Sequence, residues 1–163
     1  MKKLSILVIA AVSAVLSVVY AEQAEHWTFD GTTITDGEWT FAATLKAGTT
    51  DMTVGDYSQY PTSGILNFAK PVKDGVGTIY TIVTLNPHLC TGTDYRNSSA
   101  SAASKAVTEL YLPATGLTEI GGGAFGHMTN CTKVEPFIPD SVVTLGYGAF
   151  KEVACAQDLR LIG

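Results

Sequence analysis

The sequence predicts a mainly β chain in which an N-terminal antiparallel β region leads into a short solenoid of coils about 25 residues long. Three observations predict it. Hydrophobic residues make up 46% of the 163 positions and charged ones only 15%, so the chain carries enough apolar surface to fold and too little charge for disorder. The 16 Gly, 6 Pro and 21 Thr, with repeated Asp-Gly pairs, describe a chain that turns often and favours short strands over long helices. From Leu110 onward, Ile120, Gly121, Gly123, Ala124 and Phe125 return 25 residues later as Leu145, Gly146, Gly148, Ala149 and Phe150. The net charge of -5 argues against a phosphate-binding partner, so nucleic acid is excluded as the expected ligand.

The first segment reads as an address. Met1-Lys2-Lys3 is basic, Leu4 to Val19 is apolar and uncharged, and small residues at Val19 and Ala21 precede the acidic Glu22. That layout predicts a signal peptide over residues 1–21 with cleavage after Ala21, and the apolar run is shorter than the ~20 residues that span a bilayer. The remaining chain would hold eight basic and fifteen acidic residues and touch a membrane only during export.

Residues 22–63 read as an N-terminal β cap region. Asp30-Gly31 and Asp36-Gly37 suit tight turns, and Trp39, Phe41, Ala43 and Leu45 alternate with polar or small residues at the period of a one-sided strand. Tyr57, Ser58, Tyr60, Pro61 and Thr62 read as loop. Residues 64–106 read as a degenerate first repeat, with strands over Gly64–Phe68 and Thr78–Leu85. Pro71, Leu85 and Leu89 stand there roughly as Pro113, Ile120 and Phe125 do later, and the Ser- and Ala-rich stretch 91–106 is expected to be a surface excursion.

Residues 107–163 carry the repeats, the last one incomplete. One coil cannot bury its own apolar face, so Leu112, Ile120, Phe125 and Val134 are expected to pack inward against Ile138, Leu145, Phe150 and Leu159. Gly121, Gly123, Gly146 and Gly148 would sit where the backbone bends or approaches the core closely. Because Leu161-Ile162-Gly163 provides no polar capping coil, either the sequence is a piece of a longer repeat protein or its last edge pairs with another surface. The run Ile138-Pro139-Asp140-Ser141-Val142-Val143-Thr144-Leu145-Gly146-Tyr147-Gly148-Ala149-Phe150 resembles the repeat of BspA-like leucine-rich-repeat surface proteins, with Leu112-Pro113, Ile120-Gly121 and Gly123-Ala124-Phe125 as a partial earlier copy. The resemblance covers residues 110 to 163, with extra residues after Pro113 and before Cys131. It implies a bacterial, secreted or cell-surface protein that mediates protein binding or adhesion.

Chemistry is sparse by comparison. His26, His88 and His127 lie in separate segments, none in a metal-binding pattern, and read as surface or loop residues. Gly121-Gly122-Gly123 lacks the Lys and Ser or Thr of a phosphate loop. Acid pairs such as Asp30 with Asp36, or Glu119 with Glu135, read as exposed carboxylates rather than a glycosidase pair. Cys90, Cys131 and Cys155 fit no zinc spacing; they read as buried free thiols, with a Cys131–Cys155 bridge as the alternative. Asn97 and Asn130 each begin a glycosylation tripeptide. The expected function is therefore non-catalytic binding of an extracellular protein or glycan, without metal or cofactor. Among Tyr57, Tyr60, Tyr95, Tyr111 and Tyr147, the candidate binding residues are Tyr111 and Tyr147, since tyrosine offers contact area at little entropic cost. A secreted hydrolase with activity in the N-terminal β region, and a structural envelope component, are the alternatives.

Overall fold

The computed structural model describes residues 24–91 and 101–155. Four strands, β1 (Trp27–Phe29), β2 (Thr33–Thr35), β3 (Thr40–Leu45) and β4 (Asp51–Gln59), run as an antiparallel meander. Its first turns follow from the Asp-Gly pairs. Asp30 Oδ1 accepts the amides of Thr32 and Thr33 at 2.8 and 2.7 Å, and Asp36 Oδ1 accepts that of Trp39 at 2.9 Å, so each carboxylate fixes its own turn. Trp39, Phe41 and Ala43 are buried while Ala42 and Thr44 are exposed, the alternation expected of this strand.

The meander closes on itself. β4 pairs in parallel with β7 (Ile79–Leu85), β7 pairs antiparallel with β6 (Val72–Asp74), and β6 returns in parallel to β1, with Trp27 opposite Val72. Six strands thus form a closed β-barrel. Two short strands, β9 (Glu119–Ile120) and β11 (Thr144–Leu145), extend the sheet in parallel from the carboxyl half of β7. A separate three-stranded parallel sheet contains β5 (Gly64–Asn67), β8 (Val107–Tyr111) and β10 (Lys133–Glu135). Both buried indoles tie barrel to sheet, Trp27 Nε1 donating to Asn67 O at 2.8 Å and Trp39 Nε1 to Ile65 O at 3.1 Å. A chain of rings continues the core outward: Phe41 to Phe68 at 5.3 Å, Phe68 to Phe125 at 6.5 Å, and Phe125 to Phe150 at 5.4 Å between centroids.

This architecture corrects the expected fold class. The leucine-rich-repeat solenoid is overturned by the closed barrel, and the BspA-like assignment and adhesive role drawn from it lose their structural basis. The 25-residue period instead marks the register of the two short strands that end the sheet, Ile120 lying opposite Leu145 and Glu119 opposite Thr144. Parallel pairing of short strands demands apolar residues at a fixed offset just as stacked coils do, so periodicity alone did not separate the two. The glycines follow that pairing. A Cβ on Gly146 would collide with the Gly122 backbone, and one on Gly121 with the backbone of Pro87, so two main chains meet where only hydrogen fits.

The barrel draws strands from both sides of the expected 63/64 boundary: β1–β4 lie before it, β6 and β7 after it. Tyr57 and Ser58 belong to β4 rather than to a loop, because β4 runs on to Gln59 beside β3. Residues 102–106 form a short helix, α1 (Ala102–Ala106), where a surface excursion was expected. Ser101 caps it by accepting the Ser104 amide, and Ala103, Ser104 and Ala106 are buried, Ser104 Oγ donating to Cys90 O at 2.9 Å. Among the predicted core residues, Leu112, Ile120 and Phe125 are fully buried, while Val134, Ile138 and Phe150 are half-buried. Leu145 is 45% exposed, contrary to inward packing, because β11 is the last strand of its sheet and pairs only with β9. His127 lies in a turn, as expected, but is buried there, its Nδ1 lying 2.6 Å from Glu152 Oε2. Ala21, Tyr95, Asn97 and Leu159 lie outside the described residues, as does the predicted signal peptide.

Candidate functional site

The barrel wall and the three-stranded sheet diverge on one side and leave a cleft of about 540 Å³. Its floor is apolar and buried: Phe68, which follows β5, Val72 of β6, Ile82 of β7 and Leu112, which follows β8. The rim is polar and aromatic, with Lys70, Tyr80, Tyr111 and Glu135. Such a combination, an apolar base with a few placed polar groups, is the usual make-up of a ligand site.

Each rim group is anchored. Tyr111 ends β8, its hydroxyl donating to Glu109 Oε2 at 2.6 Å and accepting from Lys133 Nζ at 3.2 Å. The Lys133 ammonium also lies 4.8 Å from the Tyr111 ring centroid and pairs with Glu135 at 2.5 Å. Those contacts, with Glu135 first and Tyr111 second, push the Lys133 ammonium above its ordinary range. On the opposite wall Tyr80 donates to Asp74 Oδ2 at 2.9 Å and stands edge-on to Phe29 at 5.0 Å. The hydrogen bond to that carboxylate raises the Tyr80 phenol. Lys70 reaches 3.4 Å to the buried Asp36, which links the rim to the second hairpin turn. The tyrosine rings are thereby held half-buried and oriented, with little rotamer freedom left to lose.

A second recess of about 530 Å³ lies beyond Tyr80 and is lined by Thr28, Phe29, Asp30, Asp74 and Val76. It brings two carboxylates, Asp30 of the first turn and Asp74 of β6, to one hollow, the arrangement a hydrolase needs. Their electrostatics run against it. Asp30 is lowered to about 2, first by the Thr32 amide and then by Thr33. For Asp74, burial works upward, but the bonds from the Thr78 amide and Tyr80 hydroxyl outweigh it and the net direction is down. A general acid at neutral pH requires the opposite shift.

The two predicted binding residues do not share a site. Tyr111 lines the cleft, whereas Tyr147, 88% exposed, follows β11 at the edge of the other sheet. Tyr57 and Tyr60 form a pair of their own at 5.3 Å, with Tyr60 tilted over Trp39. Glu119 and Glu135 fall in different sheets. Sequence reasoning passed over Tyr80 and Lys70. Tyr80 sat inside a strand-prone window, and no local pattern distinguishes a ring facing a cleft from one facing solvent. Among the described residues no cluster of three His, Cys, Asp or Glu side chains is placed to hold a metal ion. Compared with protein-family models, curated proteins and solved structures, the chain matches none of them.

Proposed function

We propose that this chain is a non-catalytic binding domain that takes a segment of an extracellular protein into the cleft between the barrel and the three-stranded sheet. The observation that carries the reading is the pair of anchored rings, Tyr80 and Tyr111, facing a common apolar floor from opposite walls. Fixed tyrosines supply contact area without the ordering cost that a mobile side chain incurs on binding. Val76, on the turn between β6 and β7, lines the second recess beside Tyr80, and Ile79 opens β7; they are 90% and 61% exposed. The extracellular placement rests on the sequence of Met1 to Ala21 and on no structural feature.

The reading is tested by immobilising the chain and measuring its binding to a panel of extracellular matrix proteins, with glycans as a second arm. Tyr80→Ala and Tyr111→Ala should each weaken the captured protein at least about tenfold, the loss typical of a central aromatic contact. Tyr147→Ala, away from the cleft, should leave it unchanged. Binding that survives both cleft substitutions in folded protein, or that glycans alone display, contradicts the proposal.

A further inference from the structure

We propose that Cys131 and Cys155 are a disulfide-forming pair, closed by exchange with a low-molecular-weight disulfide, while Cys90 stays a buried thiol. The inference is independent of the cleft. The two residues are main-chain neighbours, the Cys155 amide donating to Cys131 O at 3.2 Å. A direct amide-to-carbonyl bond holds the two Cα atoms within roughly 5–6.5 Å, inside the ~4.4–6.8 Å that a disulfide spans. Their side chains are also close enough for Cys155 to act on the Cys131 thiol, whose proton is donated to Lys133 O at 3.1 Å. Both sulfurs are unbridged in this structure.

Exposure assigns their order. Cys131 is fully buried, and that burial pushes its thiol up to about 12, so it does not initiate attack near neutral pH. Cys155 is half-buried and so the more accessible of the two to an external disulfide. Its thiolate attacks the small disulfide, forming a mixed disulfide and releasing one small thiolate. Cys131 then displaces the second small thiolate from Cys155 and gives up its proton to it. The protein loses two electrons and two protons, and the small disulfide gains both as two thiols. The bond formed clasps the segment after β11 to the residues that enter β10. Cys90 has no role in this chemistry: it is fully buried, its thiol is pushed up by desolvation, and its carbonyl accepts from Ser101 and Ser104.

The chain is equilibrated with oxidised glutathione, alkylated and mapped by mass spectrometry. The expected result is joint loss of the Cys131 and Cys155 thiols, a peptide linking them, and Cys90 alkylated only after denaturation. Cys90→Ser should form the same link, and Cys155→Ser should leave Cys131 reduced. Should Cys155→Ser fail to fold, the map of the unsubstituted chain decides alone. Persistence of both thiols in excess oxidised glutathione, a stable glutathione adduct on Cys155, or a link through Cys90 overturns the proposal.

Discussion

Asp30 shows how one side chain shapes both a turn and a pH response. Its carboxylate accepts two amides and two hydroxyls within its own turn, and these bonds hold it at about 2 against an ordinary 3.8. A carboxylate depressed in the folded state contributes stability that is complete above its unfolded value and disappears as pH falls through its folded one. Asp30→Asn is therefore expected to lower stability at neutral pH and to flatten the decline between about pH 4 and 2, as read by denaturant titrations across that range. At this scale the sequence was informative: Asp-Gly pairs name their turns, and the Trp39–Ala43 alternation names its buried face. The cleft tyrosines were only half legible. Tyr111 was among the candidates as a contact-rich tyrosine, but nothing local placed Tyr80 across from it.

Among the elements, β6 decides the architecture although it has only three residues. It pairs with β1 on one side and β7 on the other, so neither edge is free for a residue without an amide proton. Lys73→Pro is expected to cost about 3 kcal/mol or more by removing a ladder bond and straining the strand. Chemical denaturation measures it; a change near zero would show that Val72–Asp74 is a connecting loop. Val-Lys-Asp has no apolar period, and its partner Trp27 lies far away in sequence, so barrel closure left no local trace. The β9–β11 pair had the reverse property. Its 25-residue offset was conspicuous, but it belongs to two short strands at a sheet edge. A strong local signal thus described two strands added beyond the barrel, and a silent triplet closed the barrel itself.

At the scale of the whole molecule, barrel and sheet are joined by the two indole hydrogen bonds and by the ring chain through Phe68, and the cleft is the place where they part. Both walls of the proposed binding site depend on this arrangement. Tyr80 is positioned by β7 in the closed barrel, and Tyr111 by β8 in the adjoining sheet. If β6 did not bridge β1 and β7, the Tyr80 wall would have no fixed relation to the floor. Barrel closure is therefore the claim on which the functional reading stands. The most direct measurement is a set of nuclear Overhauser contacts across the closing strand, in particular between Thr28 and Lys73 and between Lys73 and Ile79. The account predicts both sets of contacts in one folded species, β6 touching β1 and β7 together. Contacts to β7 with none to β1 would leave the barrel open and contradict it.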